Sequence, residues 1–253
     1  MAKPAVVIVG ADKGGVGKTT VSRTLLDYFG AHHIPVRAFD TETPRGTLSR
    51  FHPDQTEIVD VNSVADQMKI FDTLGSTPAQ VTVIDIRAGL LSSTLQALSD
   101  IGFLESAKKG QITFAVFHIL GPSIASLQEI AETARFVGDA SYFLVKNHIN
   151  DTSFFDWDPS TYNSYFNQIK NAQEINIPKL NEMATEQVEV ASVPFVQFVA
   201  NKSGKGEAAN YSFVLRGYVR HWLGQVWAEY DKVKLVDLLS PKAESNVVRQ
   251  VAG

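Results

Sequence analysis

Short apolar runs alternate with helix-length segments along most of this 253-residue chain. The runs are rich in Val and Ile and lack polar alternation, which is typical of parallel strands covered on both faces. They predict strands at residues 5–9, 36–39, 57–61, 81–84, 112–118, 142–146 and 174–177, with a weaker strand at 195–199. The longer segments predict helices at residues 18–30, 64–74, 92–104, 123–137, 179–190 and 207–230. This alternation predicts an α/β fold with a doubly wound, mostly parallel sheet flanked by helices.

The composition is that of a globular chain, with 44% hydrophobic and 20% charged residues. The length suits one domain covering residues 1–253, with an aromatic-rich insertion at about 151–167 and a basic helical part at about 206–240. We interpret the insertion as a flap that packs on the sheet edge. Cysteine is absent, which excludes disulfides, thiolate catalysis and cysteine-held metal clusters. No apolar run reads as a signal peptide or a membrane span, so we expect a cytoplasmic protein.

The segment between the first predicted strand and the first predicted helix, residues 10–20, carries the clearest chemical signal. It contains the glycines Gly14, Gly15 and Gly17. They permit a tight loop whose backbone N–H groups surround phosphate oxygens, next to the positive end of the following helix. Lys18 is placed to reach β- and γ-phosphates, and the Thr19 hydroxyl to ligate magnesium. Asp12 stands where the strict phosphate-loop pattern requires glycine.

Residues 13–20 of this loop resemble the deviant Walker A loop of the ParA/MinD class of P-loop ATPases. The resemblance implies binding of ATP and Mg²⁺, slow hydrolysis, and an ATP-dependent homodimer in which Lys13 reaches the phosphates bound by the other subunit. A second loop lysine is a positive charge available to stabilise phosphoryl transfer. The implied catalytic residues are Lys13, Lys18 and Asp40. The implied nucleotide contacts in the loop are Asp12, Lys13, Gly14, Gly15, Val16, Gly17, Lys18, Thr19 and Thr20.

Two carboxylates follow predicted strands in the order that this resemblance requires. Asp40 begins residues 40–46, which are similar to the family's first switch, although the third and fourth residues depart from it. The resemblance implies that Asp40 orients the attacking water and holds magnesium through water. Asp85 ends an apolar strand that resembles Walker B, so Thr19, Asp40 and Asp85 form the implied magnesium site. Residues 86–89 read Ile-Arg-Ala-Gly, where the family commonly has Thr-Pro-Pro, and the second switch is therefore atypical.

Later strand ends supply weaker matches for an adenine pocket. Asn147 follows a predicted strand, where family members often carry an Asn that hydrogen-bonds adenine. Pro178 and Leu180 belong to a segment that resembles the family's Ile-Pro stretch, whose backbone lines the pocket. Ordinary turn residues would explain these matches equally well.

The distribution of charge bears on what such an ATPase acts on. The net charge is -4, but residues 1–200 hold 15 basic and 22 acidic side chains, whereas residues 201–253 hold 8 and 5. The basic side chains that lie close in sequence are Lys202, Lys205, Arg216 and Arg220. They are candidates for non-specific contacts with DNA phosphates, and solvated helix charges explain them equally well. Residues 235–253 lack aromatic side chains, so we expect no membrane insertion.

Three functional hypotheses remain. The first is a ParA-like ATPase whose dimer, with an activating protein partner, positions or segregates DNA or another cargo. The second is a regulatory or scaffold ATPase of a plasmid-transfer or secretion-type system that acts through a protein partner. The third is a metabolic P-loop enzyme of the dethiobiotin synthetase type. Lys13 argues against the third, because such enzymes need no lysine that reaches across a dimer.

Overall fold

A computed structural model describes residues 3–138, 140–156 and 158–240; Trp157 of the predicted insertion and residues 241–253 of the C-terminal segment lie outside them. Within the described residues, seven strands form one parallel sheet in the order β3-β2-β4-β1-β5-β6-β7. The strands are β1 (Ala5–Gly10), β2 (Val36–Asp40), β3 (Thr56–Ile58), β4 (Val81–Asp85), β5 (Thr113–Ile119), β6 (Ser141–Asn147) and β7 (Ala172–Ile177). The predicted doubly wound parallel sheet is therefore confirmed.

Helices cover both faces of this sheet. The helices are α1 (Lys18–Ala31), α2 (Thr47–Phe51), α3 (Val64–Phe71), α4 (Leu91–Asp100), α5 (Phe103–Lys108), α6 (Ile124–Val137), α7 (Pro159–Phe166), α8 (Glu182–Ala191), α9 (Phe195–Val199), α10 (Phe213–Lys232) and α11 (Leu235–Leu239). A 3₁₀ turn, His148–Asn150, follows β6. On one face of the sheet, a hydrophobic core packs helices α1, α2, α8, α9, α10 and α11 against the strands. On the other face, a second core packs helices α3, α4, α5, α6 and α7 against them.

The central strand β1 shows why the apolar runs carry no polar alternation. Val7 and Val9 point into the core on the α1 side, and Val6 and Ile8 point into the core on the α4 side. All four side chains are fully buried. Each such burial contributes about 1.5–3 kcal/mol, so the strand that precedes the glycine loop is a firm support for it.

The weak strand predicted at residues 195–199 is wrong, because the segment forms the helix α9. Phe195 and Phe198, which lie three apart, are both buried on one helix face, and the N–H of Val196 donates to Asp27 Oδ2 at 3.3 Å. An apolar run of five residues fits a strand or a single helical turn, and the packing against α1 decides between them.

Two of the predicted helices, 92–104 and 207–230, differ most from the structure in their bounds. The segment predicted as one helix at 92–104 is divided into α4 and α5 at Gly102, whose φ of 75° is left-handed. The last predicted helix, 207–230, begins at Phe213 instead, because Asn201 holds the preceding loop through hydrogen bonds to Ala209 and Tyr211.

The aromatic-rich insertion contains α7, which packs on α6. Phe154 and Tyr162 of this segment are buried, and the Tyr162 hydroxyl donates to Glu174 Oε2 at 2.7 Å. In the part of the chain that the structure describes, no helix is both long and apolar enough to cross a membrane. The cytoplasmic location stays a prediction.

Candidate functional site

The glycine loop leaves the carboxyl end of β1, between the ends of β4 and β5. In open α/β sheets this edge is where ligands bind. Gly17 ends the loop with a φ of 87°, and a Cβ at this position would lie 2.1 Å from Asn147 Nδ2. Both the left-handed backbone and this close approach require glycine. The loop is therefore built against the end of β6.

A cleft of about 370 Å³ lies along the loop. Its lining residues are Gly14, Gly15, Gly17, Lys18, Thr19, Thr20, Asp40, Glu42, Thr47, Asp85, Ile86, Arg87 and Ala88. Lys18 is buried, and its Nζ donates to the carbonyl of Lys13 at 3.1 Å. Burial lowers the pKa of this ammonium group, because the charged form loses its hydration. An anion in the cleft would supply the charge partner that the buried ammonium group needs.

The Thr19 hydroxyl and the Asp85 carboxylate, both predicted for magnesium, lie together. Thr19 Oγ1 donates to Asp85 Oδ2 at 2.7 Å, and Ser22 Oγ donates to the other carboxylate oxygen at 3.0 Å. Burial raises the pKa of Asp85 to about 7, and the nearby carboxylate of Asp40 adds to the increase. Ser22 was not predicted from the sequence, although it lies one helical turn after Thr19 and that spacing places both side chains on one helix face.

This oxygen pair fits a magnesium ion that also binds phosphates. Oxygen is the ligand that Mg²⁺ prefers, and the ion is usually held by one or two protein groups together with substrate phosphates and water. Among the described residues, no group of three or more His, Asp or Glu side chains could hold a metal ion. The phosphate loop beside Thr19 and Asp85 would supply the remaining ligands through its anion.

Asp40 lies in the cleft, but its carboxylate is also bound by backbone amides. Oδ1 accepts the N–H of Glu42 at 2.9 Å, and Oδ2 accepts the N–H groups of Leu48 at 2.7 Å and Ser49 at 3.2 Å. Burial raises the pKa of Asp40, and these hydrogen bonds oppose the increase. Asp40 therefore anchors the loop between β2 and α2, and its role with water and magnesium stays a prediction.

The three residues predicted for adenine lie together in a second cavity of about 310 Å³. Asn147, Pro178 and Leu180 line it, and Thr20 lines both this cavity and the phosphate cleft. The Asn147 amide donates to the carbonyl of Val16 at 3.1 Å. The two cavities therefore meet at Thr20, with a phosphate cleft on one side and a partly apolar pocket on the other.

Aromatic side chains that the sequence analysis missed complete the wall of this pocket. Trp222 Nε1 donates to the carbonyl of Pro178 at 2.7 Å, and the Phe195 ring lies 5.0 Å from the Trp222 ring. Trp222 lies on α10, more than forty residues after Pro178, and no local pattern in the sequence links the two.

Solved structures of MinD share this architecture over most of both chains. MinD from Pyrococcus horikoshii OT3, a septum site-determining protein complexed with Mg-ADP, matches with a TM-score of 0.54 at 16% identity. The match covers 91% of this chain and 97% of that one. The MinD cell division protein from Aquifex aeolicus matches with a TM-score of 0.51 at 14% identity, over 87% and 97%. This chain has the fold of MinD.

No family model matches the sequence, and no curated protein matches it significantly. At these identities the likeness to MinD establishes the fold alone. It confirms the prediction of a ParA/MinD-type P-loop ATPase fold.

Within this MinD-like fold, Asp12 and Lys13 do not line the phosphate cleft. Asp12 caps α4 instead: Oδ1 accepts the N–H of Leu91 at 2.9 Å, and Oδ2 accepts the Ser92 hydroxyl at 2.8 Å. The side chain of Lys13 lies beside Gly121, because a Cβ added to Gly121 would lie 3.0 Å from Lys13 Cδ. The side chain of Val16, within the loop, is buried and is also absent from the cleft lining.

The basic residues of the MinD-like chain differ in exposure. Lys202, Lys205 and Arg220 are exposed, whereas Arg216 is half-buried. The Arg216 guanidinium donates to the carbonyl of Val199 at 3.3 Å, and its Nε is buried without a hydrogen-bond partner among the described residues. Arg216 is therefore partly engaged within the fold, and its contact with DNA stays a prediction.

Proposed function

We propose that this chain is an ATPase that binds ATP with Mg²⁺ and hydrolyses it slowly. The observation that carries the proposal is the junction at Thr20, where the phosphate cleft meets the pocket lined by Asn147 and Pro178. One nucleotide would place its base in the pocket and its phosphates along the loop to Lys18. The Mg-ADP of the Pyrococcus horikoshii MinD structure supports this choice of ligand.

Slow hydrolysis follows from the side chains around the cleft. Among the described residues that line it, neither Gln nor His is present to orient a water molecule. Asp40 is left for this role, and three backbone N–H groups already bind its carboxylate. Water positioning therefore depends on rearrangement of the loop that follows β2.

The test is calorimetric titration with ATP, ADP and GTP, with and without Mg²⁺, followed by single-turnover hydrolysis of ATP. We expect binding that strengthens with Mg²⁺, preference for the adenine nucleotides, and turnover below the roughly 1–100 s⁻¹ of kinases. The absence of heat with every nucleotide, in a protein shown to be folded by circular dichroism, would overturn the proposal.

We further propose that ATP drives homodimerisation and that the dimer positions DNA or another cargo in the cytoplasm, with an activating protein partner. Lys13 supports the dimer, because its side chain does not line the cleft of its own chain. Lys202, Lys205 and Arg220 support DNA, because they are exposed in the part of the chain with a basic balance. Contacts of this kind bind phosphates of any sequence.

The double variant Lys205→Glu/Arg220→Glu tests the DNA surface. Each lost phosphate contact removes about 0.9 from the slope of log affinity against log salt, so we expect the slope to flatten by roughly 2 and the affinity to fall for all DNA sequences. A matched control is Lys109→Glu/Lys170→Glu. Both lysines are exposed, and they precede the amino ends of β5 and β7, at the sheet edge opposite the phosphate cleft. Mobility shifts with ATP at several salt concentrations provide the measurement.

Equal slopes and affinities in the wild type and the first double variant would exclude this DNA surface. The second hypothesis, a scaffold ATPase of a plasmid-transfer or secretion-type system, would then lead. An association state that does not change with ATP would instead favour a metabolic enzyme of the dethiobiotin synthetase type.

A further inference from the structure

The atypical second-switch segment, residues 86–89, packs directly on the glycine loop. A Cβ on Gly14 would lie 3.8 Å from the Ala88 Cβ, and a Cβ on Gly89 would lie 3.9 Å from the carbonyl oxygen of Asp12. Gly14 and Asp12 belong to the first half of the loop, whereas Thr20 belongs to the helix that follows it. The segment therefore covers the first half of the loop, whereas the base pocket adjoins Thr20 at the start of the following helix.

The two cavities give a bound nucleotide a direction along this loop. The base pocket and the phosphate cleft share Thr20, so the base and the first phosphate lie at that end. In that orientation the chain of phosphates would run past Lys18 towards Gly14, both of which line the cleft. The terminal phosphate of a triphosphate would lie at the Gly14 end, beside residues 86–89.

Arg87 is the exposed cation at that end of the cleft. The cationic side chains among the described lining residues are Lys18 and Arg87. The Lys18 Nζ is buried and bound to the Lys13 carbonyl, whereas no hydrogen bond or ion pair joins the Arg87 guanidinium to any residue that the structure describes. A planar guanidinium with five N–H donors matches the oxygens of a phosphate and can bind two of them at once.

The backbone of Arg87 is fixed by a buried hydroxyl of the first switch. Thr41 Oγ1 accepts the N–H of Arg87 at 2.7 Å and donates to the carbonyl of Asp85 at 3.1 Å. The N–H of Thr41 also donates to that carbonyl, at 3.1 Å. Thr41 directly follows Asp40, so one residue ties the two switch segments together at the edge of the cleft.

We propose that Arg87 recognises the terminal phosphate of a nucleoside triphosphate and that Thr41 positions Arg87 for this contact. This inference rests on the proposed nucleotide binding. Arg87 distinguishes a triphosphate from a diphosphate, because a diphosphate ends before it reaches the Gly14 end of the loop. The departure of residues 86–89 from the family pattern supplies this arginine. Binding of the terminal phosphate by Arg87 would thereby be transmitted, through Thr41, to the loop between β2 and α2 that Asp40 anchors.

The test is calorimetric titration of Arg87→Ala with Mg²⁺ and either a non-hydrolysable ATP analogue or ADP. One or two lost charge-assisted hydrogen bonds correspond to a loss of about 10- to 100-fold in triphosphate affinity, with ADP affinity unchanged within about 2-fold. Arg87→Lys should recover part of the loss. The matched control is Arg45→Ala, because Arg45 is exposed in the first switch without lining the cleft.

Thr41→Val tests the positioning role, with Thr41→Ser as the conservative control. We expect Thr41→Val to reduce the ratio of triphosphate to diphosphate affinity and Thr41→Ser to preserve it. An Arg87→Ala variant with an unchanged ratio would overturn the inference and leave the proposed function intact. Wild-type protein that binds neither nucleotide would overturn the proposed function, and the inference with it.

Discussion

We expect the Lys18→Ala variant to lose at least about 100-fold in affinity for ATP with Mg²⁺. Lys18 is buried in the cleft, and an alanine there would leave the β- and γ-phosphates without their central counter-charge. Two charge-assisted hydrogen bonds contribute about 1.5–3 kcal/mol each, and every 1.4 kcal/mol is a factor of ten in affinity. Calorimetry or the displacement of a fluorescent nucleotide measures the loss.

The same substitution should not destabilise the fold. The pKa of Lys18 is lowered because burial disfavours the charged amine, so removal of that amine relieves a cost in the nucleotide-free protein. We expect a thermal midpoint equal to or above that of the wild type without nucleotide. Lys109→Ala, which removes an exposed lysine at the opposite edge, serves as the control. Near-normal ATP affinity in a folded Lys18→Ala protein would contradict the phosphate-loop assignment.

The parts of the site that the sequence predicts are those whose cause is local. β1, the glycine loop and α1 follow one another without interruption, and Lys18 and Thr19 fall where such a loop places them. Asp85 was predicted because its strand resembles Walker B, and parallel strands bring their carboxyl ends to one edge of the sheet. These predictions needed the glycine-loop motif, the resemblance to Walker B and the rule on sheet edges.

The parts that could not be predicted depend on contacts between distant residues. Asp12 reads as a loop residue in the sequence, but it caps α4, about eighty positions later. Trp222 reaches the base pocket only because α10 packs beside β7. The run at 195–199 becomes a helix because α1 and α10 offer apolar surfaces to Phe195 and Phe198. Neither periodicity nor motif spacing encodes such pairings.

Lys13→Ala should abolish ATP-dependent dimerisation while ATP still binds. The loop amides and Lys18 remain, and the contact from Lys18 Nζ is to the backbone carbonyl of Lys13, which alanine retains. Lys13 does not line its own cleft, which agrees with a role towards phosphates bound by a second subunit. Loss of that charge should lower single-turnover hydrolysis by about 10²–10³-fold, as when a stabilising donor is removed from other active sites.

Light scattering with Mg²⁺ and a non-hydrolysable ATP analogue measures the dimer, and Lys109→Ala is again the control. An undiminished dimer in Lys13→Ala would refute the contact across subunits. The same experiment distinguishes the role of Lys13 from that of Arg87. Lys13→Ala should keep the preference of the monomer for triphosphate over diphosphate, because Arg87 lies in the cleft of the same chain. Arg87→Ala should lose that preference, and it should dimerise only at higher nucleotide concentration because triphosphate binding precedes assembly.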